Sequence, residues 1–170
     1  MNFDEVCRER FSVRSFSSRR LEPGKLDEIL GMIRLAPTAL NHQPYRVMVA
    51  ESDAALAGLT EAKATLYGAR TVLLLCSDRQ QSWSNRYSGE SDILIDMGIV
   101  TATALYAATA CGVDSCCVCN FDPAAVHRVL RLPEHLTVDA LILLGYRTEG
   151  CLPSDRHCLR RAVPEFTERI

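Results

Sequence analysis

The five residues Arg10-Phe11-Ser12-Val13-Arg14 place two guanidinium groups and a hydroxyl at alternate positions. In an extended backbone alternate side chains leave on opposite sides, so Arg10, Ser12 and Arg14 share one edge and Phe11 and Val13 the other. Such an edge can bind an anion, because a guanidinium offers a planar fork of donors to phosphate or carboxylate. The apolar edge would anchor it in a core. Taken alone the stretch is better read as a solvated or carboxylate-paired edge: of the 19 basic residues only Lys25 and Lys63 are lysines, so arginine is common throughout.

Two further polar stretches carry donors in a defined setting. Residues 36–46 are bracketed by Pro37 and Pro44 and carry Thr38, Asn41, His42 and Gln43. Proline restriction makes this a fixed loop, and neighbouring amides suit the edge of a heterocycle as well as they suit water. Residues 78–91 form the longest polar connection and hold the single tryptophan, so Trp83, Arg86 and Tyr87 are candidates for a substrate side, with a surface excursion as the competing reading. Among the eight cysteines, Cys116-x-x-Cys119 has the spacing of a redox pair. A zinc site with His157 and Cys158 fits poorly, since the second pair lacks the matching spacing. His42, His127 and His135 are scattered without ligand spacing, so no metal site and no catalytic acid or nucleophile is assigned.

The elements that must position these residues follow from caps and periodicity. Asn2 is a helix cap with acids in the first turn, which makes residues 2–9 a helix leading straight into Arg10. Leu26, Ile29, Leu30 and Ile33 follow the helical period from Pro23 to Pro37, and residues 53–65 form a third helix capped by Ser52. Strands are expected at 47–50, 71–76, 113–118 and 137–145, two of them apolar enough to be covered on both faces. Residues 92–111 form the strongest helix, apolar nearly all round. Asp92, Asp96 and its many small residues favour a core helix over a membrane span, and Gly98, Thr101, Ala102, Leu105 and Ala108 would let another helix, including one from a second copy, approach closely. Asp122 and Pro123 start a last helix. The tail from 146, arginine-rich with few apolar residues, must lie on something larger.

Hydrophobic residues make up 48% of the 170, charged residues 24%, and the net charge is -2. This excludes a polyanion binder and a disordered chain. The acidic N-terminus lacks a basic and apolar leader pattern, so the cytoplasm is expected, with thiols mostly free and neither nucleic acid nor membrane as partner.

In combination, Arg-x-Ser-x-Arg, a helix, the loop Ala36-Pro-Thr-Ala-Leu-Asn-His-Gln-Pro-Tyr45 and a strand resemble the opening of the nitroreductase family of flavin-dependent reductases. The long small-residue helix, the run Gly112 to Pro123 and a strand ending Leu144-Gly-Tyr146 are similar to that family's second half. The resemblance covers most of residues 6–160. It implies an α+β fold of three α/β/α layers around a central, mostly antiparallel sheet, as one domain over 1–170 in a homodimer whose 146–170 arm packs on the partner subunit. It also implies bound FMN, with NADH or NADPH as reductant and a nitroaromatic, quinone or other electron-poor acceptor reduced by ping-pong turnover. Reductive dehalogenation, flavin degradation and non-catalytic flavin binding stay open beside it, with a cysteine-based module more distant.

By the same resemblance Arg10, Ser12 and Arg14 hold phosphate and the pyrimidine side of the ring, Thr38 and Asn41 come from the other subunit, backbone amides at Cys119 and Asn120 reach flavin N5, and Arg156 reaches phosphate. A further family contact before the second strand has only Lys63 as a candidate here. The insertion of larger members between the central helices is missing.

Overall fold

The two longest apolar runs form the middle of the sheet. A computed structural model describes all 170 residues. Its strands are β1 (Tyr45–Ala50), β2 (Thr71–Asp78), β3 (Asp114–Val118) and β4 (Leu136–Gly145), in the order β1-β2-β4-β3 with every neighbouring pair antiparallel. Every residue of β2 is buried. Alternation sends Val72, Leu74, Leu141 and Leu143 to one face and Leu73, Leu75, Ile142 and Leu144 to the other, which gives two apolar cores.

The helices are α1 (Phe3–Glu9), α2 (Lys25–Ile33), α3 (Asp53–Glu61), α4 (Ile93–Ala110) and α5 (Pro123–Leu130). α3 and α5 cover the first core, α2 and α4 the second, so the sheet lies between two helical layers. α3 meets α5 closely enough that a Cβ on Gly58 would stand 2.4 Å from Val129 Cγ1. Three expected caps form: Asn2 in a reciprocal capping box with Glu5, Ser52 on Ala55 and Asp122 on Ala125.

Several boundaries differ from the sequence reading. α2 starts at Lys25, two residues after Pro23, because Gly24 caps it in the left-handed region at φ 84°. α3 ends at Glu61 instead of running to 65, since Lys63 turns left-handed at φ 65°. β1 begins two residues early, at Tyr45, and β2 runs on to Asp78.

α4 is long and apolar enough to cross a membrane by length and composition, yet it packs along the sheet as a core helix. Asp96, Met97, Val100, Ala104, Ala107 and Ala108 are buried. Its burial is one-sided, not all round: Leu94 and Ile95 are 68% and 62% exposed. Of the close-approach positions, Gly98 is open and Thr101, Ala102 and Leu105 are half-buried, but Ala108 turns into the chain's own core.

The tail begins on its own body. The Thr148 N–H donates to Ser15 O at 3.0 Å, and Cys151 packs at the edge of the first core. From Leu152 onward every residue except half-buried His157 is exposed, including Leu152, Leu159, Val163 and Phe166.

Candidate flavin-binding site

Phe11 and Val13 are buried, which leaves Ser12 half-covered and Arg14 exposed on the opposite edge as alternation requires. The Val13 N–H donates to Ser115 O at 3.0 Å and Ser12 bridges Ser115 in parallel, so the stretch extends the sheet beyond β3. Phe16 then seats its ring against Gly145, where a Cβ would come within 3.0 Å.

The arginines divide by their partners. Arg8 pairs with Asp4 at 2.8 Å, Arg70 with Asp53 at 2.7 Å, Arg147 with Asp114 at 2.9 Å, and Arg19 with Glu22. Arg10, Arg14 and Arg156 have no acidic partner within the chain. Arg14 opens on a cavity of about 440 Å³ with Ser12, Ser15, Thr148, Gly150 and Ser154 in its lining. Arg10 opens on a neighbouring cavity of about 430 Å³ lined also by Ser115 and Arg147. The Ser115 hydroxyl there is buried without a hydrogen-bond partner.

Both arginines also act on the end of the sheet. Burial pushes the Cys116 thiol up, and the nearby charges of Arg14 and Arg10 oppose that rise. Cys119 and Asn120 follow β3 directly and are exposed. The cysteines in contact are not the two with redox-pair spacing, Cys116 and Cys119: Cys117 Sγ lies 3.7 Å from Cys119 Sγ. Arg156 sits in the short turn Asp155–His157, and the His157 ring stands edge-on to Phe11 at 6.1 Å, which ties the arm to the arginine stretch.

The second cluster lies across the sheet. Thr38 and Asn41 belong to the loop before β1, at the edge opposite β3 and the arginine stretch. Leu40, Asn41 and Gln43 all take positive φ, at 48°, 57° and 51°. Asparagine tolerates this region, but leucine there is a strained conformation worth about 1–3 kcal/mol that surrounding contacts must hold. The Gln43 N–H donates to Thr38 Oγ1 at 3.0 Å, the Ala39 N–H donates to Asp96 Oδ1 at 2.9 Å, and the His42 ring meets Gln81 O at 3.1 Å. That last contact joins the loop to the 78–91 connection.

In that connection the Arg86 guanidinium lies 4.8 Å from the Tyr87 ring and donates to its hydroxyl at 2.7 Å, with both side chains exposed. Trp83 is half-buried. One chain therefore brings together Arg10, Ser12, Arg14, Cys119, Asn120 and the arm carrying Arg156, and separately Thr38, Asn41 and the Trp83–Tyr87 loop.

Sequence reasoning missed two residues. Asp96, 2% exposed, holds the strained loop from 57 positions away, and its only sequence signal was an acid inside an apolar helix. Arg147 stacks on Phe11 at 4.6 Å while paired with Asp114, a role hidden by its place at the start of the tail. Lys63 is exposed on the turn after α3.

A three-layer α+β fold with a cationic extended edge beside its outer strand defines the class. The sequence model of the nitroreductase family matches residues 7–67 and 59–146. An NADH dehydrogenase of Thermus thermophilus is 29% identical, with 91% of each chain covered. The crystal structure of a nitroreductase family protein from Clostridium difficile superposes with a TM-score of 0.91 at 32% identity, covering 99% of this chain and 98% of that one. Another from Clostridium novyi gives 0.80 at 26%, covering 88% and 87%. The chain belongs to the nitroreductase family of oxidoreductases.

Proposed function

We propose that the chain is an FMN-dependent oxidoreductase that takes reducing equivalents from NADH or NADPH and passes them to a nitroaromatic, quinone or similar electron-poor acceptor. The observation that carries this reading is the pair Arg10 and Arg14, set on the edge opposite buried Phe11 and Val13, each without an acidic partner and each opening on a cavity. Such cations fit a phosphorylated ligand. The orphaned Ser115 hydroxyl beside Arg10 is a further polar group available to a ligand.

FMN supplies the hydride chemistry when bound, so the protein's task is binding, orientation and electrostatics. Arg10 and Ser12 would hold phosphate, with Arg156 reaching it from the arm. Arg14 offers a fixed charge to the pyrimidine side of the ring, where negative charge collects on reduction. Backbone N–H groups at Cys119 and Asn120 would hydrogen-bond N5. Trp83, Arg86 and Tyr87 would border the acceptor.

The remaining ring contacts, Thr38 and Asn41 of the partner subunit, require a second copy, since each chain keeps its two clusters on opposite edges of the sheet. The open face of α4, with Leu94, Ile95 and Gly98, and the exposed arm are the surfaces a homodimer would bury. Titration with FMN followed by absorbance and thermal melting tests the binding. Saturable spectral change and a raised Tm are expected, and neither occurring would end the reading.

A further inference from the structure

Three cysteines fall within four residues at the end of β3, and strand alternation sorts them. Cys116 is buried in the core under α3 and α5, whereas Cys117 packs at the opposite core. Cys119, one residue beyond the strand, returns to the Cys117 side. The two sulfurs are in contact at 3.7 Å, Cys117 half-buried and Cys119 exposed.

We propose that Cys117 and Cys119 form a reversible dithiol–disulfide site that exchanges with a low-molecular-weight disulfide. The Cys119 thiolate, reachable from solvent, attacks one sulfur of the incoming disulfide and releases the first thiolate, leaving a mixed disulfide. Cys117 then loses its proton and attacks Cys119 Sγ, releasing the second thiolate. The protein dithiol is oxidised by two electrons and the small disulfide is reduced to two thiols.

The order of attack follows from the surroundings. Burial, reinforced by Cys119 beside it, pushes the Cys117 thiol up to about 12, so Cys117 waits as a thiol while Cys119 meets solvent. Geometry makes the bond labile, not structural. Two residues of strand span about 6.6 Å, at the long end of the roughly 4.4–6.8 Å between Cα atoms that a disulfide bridges. Strained, exposed disulfides are the readily reduced ones. The site stands without the flavin reading, for nothing in it depends on a cofactor.

The test uses the reduced full-length chain, freed of reductant and incubated with rising ratios of oxidised glutathione, then examined by intact mass and peptide mapping. In the peptide carrying Cys116, Cys117 and Cys119, wild type should lose two hydrogens, retain no glutathione, map the bond to Cys117 and Cys119, and recover with dithiothreitol, whatever adducts form at exposed Cys7 and Cys158. Cys117→Ser should keep glutathione on Cys119, and Cys119→Ser should form neither adduct nor bond in that peptide. A lasting glutathione adduct on wild-type Cys119, or a bond from Cys119 to Cys116, would overturn the proposal. Because no FMN is added, this result is independent of whether the chain binds FMN.

Discussion

Arg14 and Asp96 are placed in opposite ways: one side chain exposed on a cavity without an acidic partner, the other buried to hold backbone. Replacing Arg14 with Gln removes a charge-assisted donor without disturbing the core, so FMN affinity should fall roughly tenfold or more while the melting temperature of the cofactor-free protein stays put. Fluorescence titration measures the first and calorimetry the second; unchanged affinity would remove Arg14 from the site. Asp96→Ala strips the acceptor from the Ala39 N–H and should cost about 1–3 kcal/mol in denaturant unfolding. The arginine edge was legible in the sequence because its information is a period of two. The Asp96 contact was not, since it joins a side chain to a backbone group 57 residues away and no local pattern encodes that. The Cys117–Cys119 contact was not legible for a related reason: x-x spacing draws attention to Cys116 and Cys119, but in and just past a strand the residues that meet are two apart.

Among the elements, the β2–β4 pairing carries an irregularity with a consequence for pH. Leu75 pairs with Ala140 but Cys76 with Val138, so Asp139 is an extra residue whose carboxylate accepts the Ser77 N–H at 2.9 Å. Burial raises its pKa above the usual carboxylate value, outweighing that hydrogen bond and the charge of Arg79. A raised folded pKa means the native state holds the proton more tightly than the unfolded chain. This contribution is therefore greatest at acid pH and is lost as pH rises through the folded pKa. Asp139→Asn should abolish it, so the stability of wild type relative to the variant should decline as pH rises from the ordinary carboxylate range through the raised folded pKa in urea unfolding. A constant difference would contradict the assignment. At the α3–α5 contact, Gly58→Ala should destabilise by about 1–3 kcal/mol, because the new methyl meets Val129. Strands and the starts of α1, α3 and α5 were readable from alternation and caps. The C-terminal end of α3, the late start of α2 and the one-sided burial of α4 were not, because left-handed turns and open faces depend on what packs nearby.

At the scale of the whole molecule, the separation of the two polar clusters and the exposed arm point the same way. A single copy leaves Leu94, Ile95, Leu152 and Phe166 in water, and a homodimer would cover such surface. Sedimentation should give twice the 18.9 kDa of one chain, and removal of residues 152–170 should weaken both dimer and FMN binding. A monomeric full-length protein that still binds FMN tightly would refute the two-copy site. The order of elements and the three layers were legible from the sequence, but the placement of Thr38 and Asn41 across the sheet from Arg10 required the strand order. The most direct test of the central claim is anaerobic stopped-flow mixing of the FMN-loaded protein with NADH and, separately, NADPH. Rapid bleaching of the flavin absorbance by at least one of them, with colour restored by a quinone or nitroaromatic, is the predicted result. A flavin that binds but is bleached by neither would contradict the reductase reading and leave a flavin-binding protein in its place.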